Sequence, residues 1–170
     1  GIILPVTYFL LFLNFALMLV IPIGVAMFIH RRTGATWRLF FIGAVTFVLS
    51  QVFHIPFNWL VQRTGLLPGD LESWGNLLIT ATFLGLSAGV FEETARYLTY
   101  RYWAKDARSW SRGLMLGAGH GGIEAILLGL LGAVNIVGLL VTLNNEALLS
   151  AIPAEQQAVI NASLANLVAT

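Results

Sequence analysis

"LLITATFLGLSAGVFEETARYLTYRYW", residues 77–103, sets a long run of apolar and small residues against two adjacent carboxylates and an arginine, Glu92, Glu93 and Arg96. A helix needs roughly 20 apolar residues to cross a bilayer core, and this stretch is long enough. A charge near the centre of such a helix costs about 2.5 to 3.5 kcal/mol on insertion scales, and the groups that persist there face the protein interior or a water-filled cavity. The stretch therefore reads as a membrane-spanning helix that carries a site.

Working outward, the composition agrees. Hydrophobic residues make up 58% of the chain and charged residues 10%, far from the balance of a soluble domain. Residues 2–29, 39–61 and 113–143 form three more apolar runs of spanning length. The first is too long and too aromatic for a signal-peptide core. The fold class expected is all-α, a polytopic transmembrane helical bundle with at least four spans, in a single domain over residues 1–170. Residues 144–170 are less apolar and are expected to form a loop or interfacial helix, or to begin a further span. Gly1 already lies inside an apolar run, so the sequence reads as part of a longer protein. A net charge of +1 gives no case for nucleic acid, and the absence of cysteine excludes disulfides and thiolate chemistry.

Lys and Arg in short loops favour the cytoplasmic side. Residues 30–38 and 101–112 are basic, whereas the loop between spans two and three carries Asp70 and Glu72. The alternation predicts a cell-membrane protein with its N-terminus outside and both basic loops cytoplasmic. Trp37, Trp59, Trp74, Trp103 and Trp110 fall near the proposed boundaries, where interfacial tryptophans gather. Glycines four apart, Gly85 and Gly89 in one span and Gly113, Gly117 and Gly121 in another, mark faces where helices are expected to approach closely.

At 3.6 residues per turn, neighbours four apart share a helix face. Glu92 should stack over Arg96, His120 over Glu124, and His54 over Asn58, placing polar pairs on separate spans. At about 1.5 Å per residue, Glu92 and Glu124 each lie about 16 Å from the basic-loop end of their spans, and His54 falls near the middle. One layer can hold them all. Internal ion pairing accounts for Glu92 or Glu93 with Arg96, but not for both carboxylates. For His54, Pro56 and Asn58 a plain structural reading is available: Pro56 cannot donate to the carbonyl of Val52, and a polar side chain can satisfy the freed group.

Neighbouring carboxylates do not ionise together easily, which prepares a general acid or base for work near neutrality. A glutamate that deprotonates water, beside a His or Asn able to hold an oxyanion, makes a site for peptide hydrolysis. Glu92, Glu93 and His120 are the catalytic candidates, with Arg96, Glu124, His54 and Asn58 in support. A metal version uses His120, His54 and Glu124 as ligands for Zn²⁺. His-x-x-x-Glu supplies one imidazole per turn, not the two of His-Glu-x-x-His, so such a site needs a ligand from another span. The reading leans toward a glutamate-activated water and leaves zinc open.

"FEETARY" followed by "GAGHGGIEAI" resembles the YhfC family of bacterial intramembrane proteases, with a more distant similarity to the CAAX-protease and bacteriocin-processing superfamily and to the PrsW proteases. The resemblance is strongest over residues 51–129. It implies an all-helical membrane protein with a glutamate-based or metal-assisted proteolytic site acting on a membrane-embedded peptide or protein. By the same resemblance Glu92 matches the catalytic first glutamate, Glu93 its partner, Arg96 the basic residue and His120 the second-motif histidine. The chain departs from the superfamily pattern in three places. Two residues rather than three separate the glutamates from Arg96, Leu116 stands where Phe is usual, and His-x-x-x-Asn occurs upstream, as His54 to Asn58. Two other functions fit the same residues: a proton- or cation-coupled transporter, in which the carboxylates are the ion site, and a non-catalytic scaffold or immunity protein that keeps the fold and binds a partner.

Overall fold

The structure is a computed structural model and describes residues 3–143, 145, 153–154, 156–159 and 162. Its elements are α1 (Ile3–Thr33), α2 (Trp37–Arg63), α3 (Trp74–Leu98), a π-helical turn (Thr99–Trp103) and α4 (Trp110–Leu143), with no strand among the described residues. Among the described residues four helices are long and apolar enough to cross a membrane. The protein is an all-α, multi-pass membrane protein. The apolar runs mark the interiors of these helices, and each helix extends past its run into the flanking Trp, His and Arg residues. Of the segment expected as a loop, interfacial helix or further span, 144–170, the greater part lies outside the described residues.

Short connections set the helices. Gly34, at φ 71°, adopts the left-handed conformation that ends α1. The turn after it is closed by the Gly34 amide donating to the His30 carbonyl (2.9 Å) and by His30 Nδ1–H donating to the Ala35 carbonyl (2.8 Å). Gly65, at φ 72°, plays the corresponding part after α2. Ser73 caps α3, accepting from the Asn76 amide at 3.2 Å. Between the π turn and α4, Arg38 donates to both carboxylate oxygens of Asp106 (3.0 and 3.1 Å), and Arg112 donates to the Asp106 carbonyl (2.8 Å). Asp106 is held below the usual carboxylate range, first by its own backbone amide and then by Arg38 and Arg112.

The chain divides into two units, through both of which α1 and α4 run. One comprises Gly1–Ile21 with Ala125–Thr170. There a Cβ on Gly129 would press on Met18 and one on Gly132 on Phe15, so these glycines seat large side chains of α1. Asn135, a polar residue in an apolar run, donates to the carbonyl one turn back, at Leu131 (2.8 Å), and needs no distant partner.

The other unit, Pro22–Glu124, holds the described core: Ala26, Ile29, Leu39, Phe40, Ile42, Met115 and Leu116 pack with Ala35, Ala104 and Ala107. Within it α2 and α4 approach backbone to backbone. A Cβ on Gly43 would overlap the Leu116 carbonyl, and one on Gly119 the Phe40 carbonyl. Gly85, Gly89, Gly117 and Gly121 face open space instead, so the close crossing expected of the four-apart glycines is made by a different pair. The physical reason is that a tight crossing needs one glycine on each partner helix at the same level, which spacing within a single helix does not report.

Candidate active site

The α2–α4 crossing brings His120, on α4, against the polar faces of α2 and α3. The residue is 4% exposed, and its ring packs edge-on to Phe47, centroid to centroid 5.3 Å. Its Nε2 lies 3.4 Å from Oε2 of Glu92. The other oxygen, Oε1, faces Nε2 of Gln51 at 3.5 Å. Glu92 thus sits between donors from two other helices. These gaps exceed the 2.7–2.9 Å typical of charge-assisted hydrogen bonds and leave the carboxylate with lone pairs for a further partner. Long contacts of this kind tighten in catalytic sites when substrate binds.

Behind Gln51 the network continues along one face of α2, where residues 51, 54 and 58 fall at helical spacing. His54 Nδ1 donates to Gln51 Oε1 at 3.3 Å, and Asn58 Nδ2 donates to His54 Nε2 at 2.8 Å. Ser87 of α3 closes the end, its hydroxyl 3.0 Å from His54 Nε2 and 3.1 Å from Asn58 Oδ1. Phe91 flanks the His54 ring at 5.3 Å. The order is consistent: each N–H points toward Glu92, which places the His54 proton on Nδ1. On His120 the proton belongs on Nε2, because Nδ1 is buried without a partner and an unpaired acceptor is the lesser penalty beside a carboxylate that needs a donor.

The structure brings together Glu92, His120, His54 and Asn58. It does not bring in the other three expected residues. Glu93 points round the helix from Glu92, with a side chain 71% exposed, and pairs with Arg96. No hydrogen bond joins the two glutamates, and Arg96 pairs three residues back rather than four, because Thr94 and Ala95 alone separate it from Glu93. Glu124 makes no hydrogen bond or ion pair among the described residues, and the His120 ring one turn before it is directed to Glu92. Gln51 and Ser87 are the members that sequence reasoning did not single out. Gln51 carried a signal, three residues before His54 on the same face. Ser87 carried little, lying among small residues.

A family model described as YhfC intramembrane metalloprotease matches residues 17–170. The chain belongs to the YhfC family. Among curated relatives, the protein named "Uncharacterized membrane protein YhfC" from Bacillus subtilis (strain 168) is 36% identical over 126 residues, which cover 74% of this chain and 48% of that protein. This YhfC-family chain spans about half the length of that relative. No solved structure matches it. The family description raises the question of a metal. Catalytic zinc takes three protein ligands, and no group of three His, Asp or Glu side chains converges among the described residues. Glu92 and His120 meet, His54 stands behind Gln51, and Glu124 stays apart, so His120, His54 and Glu124 do not form a ligand set here. The residues present do not by themselves fit a zinc centre.

Proposed function

We propose that the chain carries the catalytic centre of an intramembrane endopeptidase in which Glu92 activates water. The observation that carries this reading is the Glu92 carboxylate lying 3.4 Å from His120 Nε2 and 3.5 Å from Gln51 Nε2, where three apolar helices meet. Glu92 takes a proton from water, and the hydroxide oxygen bonds to the carbonyl carbon of the scissile peptide. The carbonyl electrons move to oxygen, where His120 Nε2–H is the donor within reach of the oxyanion. Collapse breaks the C–N bond, and Glu92 returns its proton to the departing amine. Asn58, His54 and Ser87 hold Gln51, and Gln51 holds Glu92. Arg96 and Glu93 stand on the neighbouring flank of α3, where their pair can contact the substrate backbone.

The substrate class is a peptide or protein segment embedded in the bilayer, because the reacting groups are there. The charge of the loops supports placing 30–38 and 101–112 in the cytoplasm. The direct test is cleavage of a membrane-spanning peptide by the full-length protein in vesicles. Glu92→Gln should lower turnover by about 10²- to 10⁴-fold, the range of general acid–base catalysis. Full turnover in that variant refutes the assignment. The carrier reading is separated by solute counterflow in the same vesicles, and a chelator with Zn²⁺ add-back decides whether the complete protein supplies the ligands of a metal.

A further inference from the structure

Beside the polar network lies a second feature the hydrolytic reading does not use. Between α2 and α3, within the unit Pro22–Glu124, is a cavity of about 550 Å³. It begins at Ser50 and Phe91, which border the network: Ser50 accepts from Gln51 Nε2 at 3.4 Å, and Phe91 flanks His54. From there it runs past Ala95 and Leu98 to Tyr102 and Trp103. At about 1.5 Å per residue that is a slot about 18 Å long, parallel to α3. Phe53 and Val90, both exposed, form its rim, so it opens sideways on the apolar outer surface of the unit.

Two observations mark the slot as built to be filled. Its buried hydroxyls are engaged within the wall: Thr46 bonds to Thr99 (2.8 Å) and donates to the Ile42 carbonyl (2.8 Å), and Ser50 donates to the Phe47 carbonyl (2.6 Å). An occupant therefore finds a surface with little demand for polar groups. The far wall is the π-helical turn Thr99–Trp103, whose wide backbone bond runs from the Ala104 amide to the Thr99 carbonyl (2.7 Å). Such turns insert an extra residue and concentrate at functional sites, and this one contributes Thr99, Tyr102 and Trp103 to the slot. Neither Pro nor Gly forces it, as the segment reads TYRYW.

The geometry points to the slot as the subsite for large apolar side chains of the substrate, on the side of the scissile bond nearer residues 101–112. The inference rests on the hydrolytic reading for what lies at Glu92. An extended chain advances about 3.3 Å per residue, so about five residues span the slot with one end at the Glu92 layer. A peptide is the occupant that has reason to present a carbonyl to Glu92 and apolar side chains to Ala95 and Leu98 together. The slot then decides which sequences are cut.

The test is photo-crosslinking in phosphatidylcholine vesicles, using the full-length Glu92→Gln protein and a membrane-spanning polyleucine peptide that carries a diazirine leucine. Crosslinks are expected on the segment of α3 and the π-helical turn that contains Ala95, Leu98 and Tyr102. They should fall about tenfold or more when the diazirine leucine gives way to a diazirine on a small side chain, as loss of apolar atoms from a fitted pocket does. Ala95→Phe, which fills the slot, should abolish them, and if that variant does not fold, Leu98→Ala should erase the preference for the larger residue. Crosslinks confined to α1 or α4 overturn the inference. So does labelling of the slot by a diazirine-acyl phosphatidylcholine that the peptide fails to displace, which assigns the slot to lipid. Slot crosslinks alongside a wild-type protein that cuts nothing support the subsite and refute the hydrolase.

Discussion

A carboxylate acts as a base only where it is aimed, and for the proposed role of Glu92 the aim would come from the uncharged Gln51. Gln51→Leu keeps the volume near Glu92 but removes the donor to Oε1 and the acceptor for His54. Turnover should fall by about 100-fold with KM little changed, the penalty of a displaced catalytic group, as steady-state cleavage of a bilayer peptide would measure. Glu93→Gln, which alters a largely exposed ion pair, should cost far less at the chemical step. The cost of intramembrane charge drew attention to Glu92, His120 and His54, and the four-residue spacing from His54 added Asn58; the structure places these four in one hydrogen-bonded group. The same rule could not choose between Glu92 and Glu93, which sit about 100° apart on the helix, since which neighbour faces inward depends on the helices packed around it. Gln51 and Ser87 escaped because uncharged groups are cheap enough in an apolar helix to pass for packing.

Between helices, the crossing of α2 and α4 governs whether His120 reaches Glu92. Gly43→Ala or Gly119→Ala would drive a methyl group into a backbone carbonyl of the partner helix. Overpacking of this kind costs about 1–3 kcal/mol, and unfolding in mixed detergent should register it together with lost cleavage. Gly85→Ala and Gly117→Ala meet open space and should be neutral or slightly stabilising, since alanine favours helix over glycine by up to about 1 kcal/mol. The four spans could be read from hydropathy because length and apolarity are properties of one segment. The crossing could not, because it belongs to two segments at once. The helix ends extended beyond the apolar runs for a related reason: interfacial Trp and Arg residues continue a helix that hydropathy has already abandoned, as where Arg63 stacks over Trp59 at 4.1 Å.

Across the whole molecule, charge is distributed by loop. Arg31, Arg32, Arg38, Arg101, Lys105, Arg108 and Arg112 are seven of the nine Lys and Arg residues and lie on the two basic connections. The chain has no cysteine, so Lys105→Cys and Glu72→Cys each place a single thiol on it to report sidedness. An impermeant maleimide applied to intact cells should label Glu72→Cys and spare Lys105→Cys. The tie from Asp106 to Arg38 adds a pH dependence. A folded carboxyl held below its unfolded value of about 3.9 contributes its stabilisation above that pH and loses it as pH falls through the lower folded value. Spin labels at Thr36 and Lys105 should therefore broaden in separation only in strong acid. Global stability should hardly move, because the pair is exposed and screened.

The single direction of the N–H groups from Asn58 through His54 and Gln51 to Glu92 makes these four side chains a polarised rod. Turning one link end for end sets donor against donor or acceptor against acceptor at the joints on either side. Gln51→Glu, the mildest change by shape, would then place one carboxylate nose to nose with another, while the neutral Gln51→Met would remove both hydrogen bonds without adding a repulsion. An added negative charge at that position is therefore worse than a lost hydrogen bond.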